Sequence, residues 1–240
     1  MLEVVPVADE TEGVLPKLVQ EKKVDGVIII GRMQENYLRA LSENGNTPTI
    51  YLDFYDEKTG CDAFISNSFY GTNLLTNYLF EQGHTKIAFV GTLMATVSIT
   101  DRYFGYAKSI MEHGQKIRPD WIINDRSIDD GWMDYESLQK LPEDMPTAFV
   151  CNCDLTASIM IKNLENQGYH VPEDISVVGF DNYLYPGLCD IGITTYEVDI
   201  KEMARRAIHN LLKKMANSSY ETGTIIVEGR LVHKDSVAHI

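Results

Sequence analysis

The chain is predicted to be an α/β protein of two lobes, each a parallel sheet flanked by helices. Three observations predict it. Short β-branched runs alternate with amphipathic helical stretches along the chain, a pattern that joins parallel strands by crossover helices. The runs are mostly apolar, as strands buried between two helical layers are. The length of 240 residues exceeds one compact core and suits two lobes of roughly 100–150 residues each.

The elements follow in order. Val24 to Ile30 is a β-branched run ended by Gly31, and Thr49 to Leu52 is a second, entered from Pro48. A helix over Gly71 to Glu81 carries Leu74, Leu75, Tyr78 and Leu79 on one face and stops at Gly83. Lys86 to Val90 is the next strand, ending at Gly91. Tyr103 to His113 reads as a helix with Phe104, Ala107 and Met111, stopped by Gly114. Thr147 to Cys151 follows Pro146 as a strand, and a helix over Leu155 to Gln167 stops at Gly168. Ile175 to Phe180 is the last predicted strand. Lys201 to Ala216, with Ala204, Ala207, Ile208, Leu211 and Leu212, is the last helix.

Composition narrows the function classes. At 44% hydrophobic and 23% charged the chain is an ordinary globular protein, and its formal net charge of −14 repels phosphates. Nucleic-acid binding by this chain alone is therefore not expected. Cys61, Cys151, Cys153 and Cys189 lack the spacing of a disulfide framework or zinc site and read as reduced core or pocket thiols. The start shows no secretory signal, and no apolar run approaches the ~20 residues needed to span a bilayer. A cytoplasmic protein is expected. No metal-binding or hydrolase motif occurs, so no catalysis, metal or cofactor is expected.

In parallel sheets, ligands sit beyond the carboxyl ends of the strands. The residues there are Asp53, the segment from Gly91 to Arg102, Cys153 with Asp154, and Asp181 with Asn182. Two carboxylates and a guanidinium around one crevice suit the hydroxyls of a sugar. Aspartates after strands also cap the next helix or turn. Arg102 is expected to begin a helix, against the macrodipole, which suggests either ligand binding or an ion pair with Asp101 or Asp125. Trp121 and Trp132 could stack on a sugar or pack at an edge. His84, after Gly83, reads as a helix cap, and His113 as the end of another helix, stabilising its C-terminus.

Five blocks, in order, carry a resemblance: Val24-Asp25-Gly26-Val27-Ile28-Ile29, Gln82-Gly83-His84-Thr85-Lys86-Ile87-Ala88, Arg102-Tyr103-Phe104-Gly105-Tyr106, Asp174 to Asn182 with Ile193-Thr194-Thr195, and Lys234-Asp235-Ser236-Val237. Together they resemble the effector domain of the lactose-repressor (LacI/GalR) family. The resemblance implies a periplasmic-binding-protein-like type I fold, its lobes joined by three crossings near Ser66, Val198 and Glu228. Residues 1–66 plus 198–227 would form an incomplete N-terminal lobe. Residues 67–197 plus 228–240 would form the C-terminal lobe. The segment Glu12–Gln20 resembles the family's second helix, so the first strand and helix, and the helix-turn-helix before them, are expected to be missing.

The resemblance places pocket positions at Asp53, Ser66, Ser98, Arg102, Arg126, Cys153, Asp181 and Val198. Arg126 stands where the family often has a stacking aromatic, Cys153 replaces an asparagine, and Val198 takes a position polar in some members. A second guanidinium at Arg126 suits an acidic or phosphorylated sugar. The implied function is an effector sensor that binds a sugar-like molecule between the lobes. It would act as a homodimer, reach operator DNA only through the absent head, and not contact a membrane. Alternatives are a transport-type sugar-binding protein of the same fold, a sugar hydrolase using Asp53 and Asp181, and a member sensing a purine or a phosphoprotein.

Overall fold

The computed structural model describes residues 1–43, 47–129, 131–220 and 223–240. The chain divides into two compact units, Met1–Ser66 with Asp199–Val227, and Asn67–Val198 with Glu228–Ile240. The first begins with α1 (Val7–Glu12), α2 (Lys17–Gln20), β1 (Val27–Ile30), α3 (Glu35–Glu43), β2 (Thr49–Leu52) and β3 (Asp62–Ser66). The second holds α4 (Ser68–Glu81), β4 (Ile87–Val90), α5 (Val97–Glu112), β5 (Ile122–Ile123), α6 (Tyr135–Gln139), β6 (Ala148–Cys151), α7 (Asp154–Asn166), β7 (Ser176–Asp181) and β8 (Thr194–Glu197). The first unit then takes α8 (Ile200–Met215) and β9 (Thr224–Val227), and the second ends with β10 (Arg230–Val232).

Among the described residues the first unit has a sheet of order β1-β2-β3-β9, parallel throughout. Side chains alternate across it, as the pleat requires. Ile29, Tyr51 and Ala63 pack with Val19, Leu38, Leu41 and Phe54 in one core. Ile50 and Phe64 pack with Ala207 and Leu211 of α8 in the other. The helix expected over Glu12–Gln20 is interrupted. Gly13, at φ 70, ends α1 in a left-handed cap, and Pro16 holds an extended backbone before α2 because the pyrrolidine fixes its φ.

The second unit's sheet has the order β10-β8-β7-β6-β4-β5, with every pair parallel except β10 with β8. One face carries Leu75 and Leu79 of α4 with Ile99, Tyr106 and Ile110 of α5. The opposite face carries Leu138 of α6 and Ala157, Met160, Ile161 and Leu164 of α7. Helices α4 and α5 cross so closely that a Cβ on Gly105 would lie 2.1 Å from the Phe69 carbonyl oxygen. Only glycine fits there. Chain order reverses direction across this sheet beside β4, since β5 lies on one side and β6 on the other. Such switch points leave a crevice at the carboxyl edge of an α/β sheet.

Two expectations are corrected. Arg102 does not begin a helix: α5 starts at Val97, and the Thr96 side chain accepts from the Ile99 N–H as its N-cap. Thr96 satisfies a free helix donor, so the helix extends a turn and a half before Tyr103. Opposition to the macrodipole therefore does not explain Arg102. His84 is a buried bridge rather than a helix cap. Its Nδ1 lies 2.9 Å from the Thr147 hydroxyl and its Nε2 3.1 Å from the Ala238 carbonyl oxygen. Burial pushes its pKa down, so the neutral ring ties β6 to the carboxyl-terminal tail. His113 does close α5, with Nδ1 2.9 Å from the Ser109 carbonyl. No described helix is long and apolar enough to cross a membrane.

Candidate functional site

The carboxyl ends of β5, β4, β6 and β7 are adjacent in the second unit. The residues leaving them are Asp125 and Arg126, Thr92, Asn152 and Cys153, and Asp181 with Asn182. Arg102 approaches from α5. Its side chain is only 6% exposed. Nη1 donates to the Asn152 carbonyl at 2.6 Å and Nη2 donates to Asp181 Oδ1 at 3.2 Å. The guanidinium carbon lies over the Phe180 ring, 3.9 Å from its centroid, and Nε makes no hydrogen bond. A cation stacked on an aromatic face and paired with a carboxylate is held in one orientation.

Asp181 ends β7 with φ 96, and Asn182 follows with φ 52. Positive φ at consecutive non-glycine residues is costly and tends to be kept where function needs it. The turn is held by Asn182 Nδ2 donating to Glu197 at 2.9 Å and by Lys234 Nζ donating to Asn182 Oδ1 at 2.7 Å. It leaves the Asp181 carboxylate 34% exposed beside a guanidinium that is almost wholly covered. The accessible acceptor is thus anchored by an inaccessible donor.

Arg126 is built into the same group from the other side. Its Nε donates to both oxygens of Asp125 at 3.1 Å, and its Nη2 donates to Asp125 Oδ2 at 2.7 Å and to Asn152 Oδ1 at 3.2 Å. Cys153 Sγ lies 3.9 Å from that Nη2. Cys153 is also the N-cap of α7, accepting from the Thr156 N–H. Burial raises its thiol pKa and the Asp181 charge adds to the rise, so the sulfur is a neutral thiol at neutral pH. Asn152 therefore joins the two arginines: Arg102 at its carbonyl, Arg126 at its side-chain oxygen.

Asp154, the first residue of α7, lies buried against Gly179, and its Oδ2 accepts from the Tyr183 N–H at 3.0 Å. Burial drives its pKa up to about 7, and the neighbouring Asp181 carboxylate adds to this against the pull of Thr195, Lys234 and the Tyr183 N–H. The folded chain therefore holds this proton more tightly than the unfolded chain. The stability from this group is full below about pH 4, declines as pH rises, and is lost above about pH 7. Asp154→Asn is expected to flatten that decline and to raise stability at pH 8 by about 1–3 kcal/mol. Urea denaturation of both proteins from pH 4 to 8 checks it; an unchanged slope in the variant contradicts it.

The second unit thus brings together four of the sequence-identified positions: Arg102, Asp181, Arg126 and Cys153. Ser98 lies in the first turn of α5, with its hydroxyl 3.0 Å from Thr96 Oγ1. The Val198 N–H donates to the Asp181 carbonyl at 3.4 Å, while its side chain packs on the apolar core. Asp53 and Ser66 belong to the first unit, just after β2 at φ 67 and at the buried end of β3. That unit's surface hollow of about 490 Å³, lined by Lys22, Asp25 and Lys214 among others, includes neither. The alternative ion pairs of Arg102 with Asp101 or Asp125 give way to Asp181. Trp121 is buried with its indole N–H on the Asp144 carbonyl, and Trp132 is 73% exposed. Asn152 and Thr156 carry no signal in the sequence, Thr92 falls only within the Gly91–Arg102 segment and Asp125 enters only as a possible partner of Arg102, although Asp125 and Asn152 leave strands as the others do.

The comparisons with known proteins agree with this architecture. The model of the periplasmic binding protein-like domain matches residues 76–237. The transcriptional repressor PurR of Aliivibrio salmonicida is 29% identical over 235 residues, covering 95% of this chain and 70% of that protein. The chain spans 61% to 71% of the lengths of the curated repressors compared. Among solved structures, the regulator CelR in complex with cellobiose superposes with a TM-score of 0.81 at 20% identity, covering 97% of this chain and 71% of that one. A LacI family transcriptional regulator from Mycobacterium smegmatis gives 0.77 at 20% identity, covering 98% and 86%. These relatives are transcription regulators and not enzymes. With its parallel sheets, its strand-end arginine–aspartate pair and a family match over most of its length, the chain belongs to the periplasmic binding protein-like domain family, as an effector-binding domain of the LacI/GalR type.

Proposed function

We propose that this chain is the sensing part of a bacterial transcription regulator that binds a small sugar-like effector and so controls DNA binding by a separate helix-turn-helix head. The observation that carries the reading is the covered Arg102 guanidinium held 3.2 Å from the accessible Asp181 carboxylate at the carboxyl edge of the sheet. A carboxylate fixed in this way accepts from hydroxyl pairs without reorganising. Arg126 and Cys153 extend the same face. Asp53, Ser66, Ser98 and Val198 are the further contacts that the family resemblance implies. Similarity to a regulator solved with cellobiose supports a sugar-like ligand.

In this reading the protein works in the cytoplasm as a homodimer. Ligand shifts the population between two domain arrangements by its differential affinity for them. A thermal-shift screen against sugars, sugar acids, sugar phosphates and nucleobases, followed by calorimetry, tests it. A ligand is expected to bind saturably to the wild type and at least about a hundredfold more weakly to Asp181→Asn. Equal affinity in the variant would remove this site.

A further inference from the structure

Asp125 has no role in the reading above, yet the position of Arg126 depends on it. It is 0% exposed and collects the Thr92 N–H at 3.0 Å, the Asn152 amide at 2.6 Å, the Thr156 hydroxyl at 2.8 Å, and the Nε and Nη2 of Arg126. So many donors leave the carboxylate no freedom to swing away. The Nε and Nη2 edge of Arg126, with which a guanidinium would grip a phosphate or carboxylate in two-point fashion, is occupied by the chain's own carboxylate. Its Nη1 makes none of these bonds.

We propose that Asp125 is the residue that sets ligand charge specificity: it holds Arg126 as one half of an internal ion pair, so that this face takes an uncharged hydrogen-bonding ligand and rejects anions. The inference rests on the effector-binding reading and refines it. It also replaces the expectation, drawn from sequence, that a second arginine suits an acidic or phosphorylated sugar.

The charges on the face match one to one, Arg102 with Asp181 and Arg126 with Asp125. Neither arginine keeps an unmatched charge to attract an anion; the nearest other cation, Lys234, is bonded to Asn182, and the chain's net charge of −14 opposes an anion's approach. An anion that captured Arg126 would strand Asp125 in the interior without its counter-charge, a heavy penalty. A neutral hydroxyl needs no such exchange. One hydroxyl can accept from Nη1 of Arg126 and another donate to Asp181 with both ion pairs intact.

Inorganic phosphate is the probe, titrated calorimetrically into the wild type, Asp125→Asn and Asp125→Asn/Arg126→Gln. The wild type is expected to show no saturable binding. Asp125→Asn is expected to bind at least about tenfold more tightly than the wild type, and the double variant to lose the gain. Saturable wild-type binding that disappears in Arg126→Gln overturns the proposal, as does a folded Asp125→Asn that gains nothing. Should Asp125→Asn fail to fold, the Arg126 Nε–H resonance of the wild type serves instead. It should stay unmoved on adding phosphate, and a saturable shift would overturn the proposal. Phosphate capture by Arg126 in a protein that also binds neutral sugars would end this inference alone. A protein that behaves as expected toward phosphate, but whose ligand ignores Asp181→Asn, would end the effector site alone.

Discussion

Asp125→Ala is expected to lower the unfolding free energy of the second unit by about 3–5 kcal/mol, the usual cost of stripping one partner from a buried ion pair. At roughly 2–4 °C per kcal/mol for a unit of this size, its melting temperature should fall by about 6–20 °C. The loss is large because several donors lose a buried acceptor at once: the Arg126 fork, the Thr92 N–H, the Asn152 amide and the Thr156 hydroxyl. Burial alone would raise the Asp125 pKa, but the Arg126 bonds and charge, with Asn152 and Thr156, hold it below the usual carboxylate value. A depressed folded value means that this stabilisation is present above about pH 4 and is lost as pH falls through the folded pKa. The variant should therefore be less stable at neutral pH and show less acid sensitivity below pH 4. Calorimetric melts at pH 7 and pH 3 check both, and a change under about 1 kcal/mol at pH 7 would contradict the account.

Arg102→Ala is expected to remove ligand binding and to destabilise the fold by about 2–4 kcal/mol together. The arginine is at once a ligand-side group and a structural one. It satisfies the Asn152 carbonyl, pairs with Asp181 and covers the Phe180 ring. Its loss empties that space and leaves the carbonyl short of a donor. Asp181→Asn should separate the two effects. Asp181 is partly solvated and an asparagine oxygen still accepts from Arg102, so this change should cost less stability than the loss of Arg102 while weakening ligand binding as strongly. Urea denaturation and calorimetry on the two variants give the comparison. Wild-type stability in Arg102→Ala would show that the buried network is not what holds the strand ends in place.

Three central strands were legible because a parallel strand covered on both faces is mostly apolar: Ile87–Val90 and Ala148–Cys151 are apolar throughout, and Ser176–Asp181 is apolar between its polar ends. Strand β3 did not show itself. It opens with Asp62, whose burial is made tolerable by Lys214 at 2.9 Å and by the Gly223 N–H, partners remote in sequence. Helix α3 was missed because its face is mostly polar, with only Tyr37, Leu38 and Leu41 buried. Strands β5 and β10, of two and three residues, are too short for period alone to register.

At the site, residue spacing pointed to strand ends, and the family resemblance then selected positions along them. Arg126 and Cys153 were marked, while Asp125 and Asn152 immediately before them were not. The difference lies in tertiary contacts. An aspartate after a strand looks the same whether it caps a turn or holds a guanidinium, and only the meeting of β4, β5 and β6 decides between them. The pairing of charges at the site lies beyond the sequence for the same reason, since Arg126 alone reads as a free cation and its ion pair with Asp125 shows only in the fold.

The most direct test is a crystal structure of the chain with a ligand that emerges from the screen. Ligand hydroxyls should lie within about 3.2 Å of the Asp181 carboxylate and of Arg126 Nη1, with the Arg102–Asp181 and Arg126–Asp125 pairs unbroken. Ligand bound away from those strand ends, for example in the hollow of the first unit lined by Lys22 and Lys214, would contradict the account.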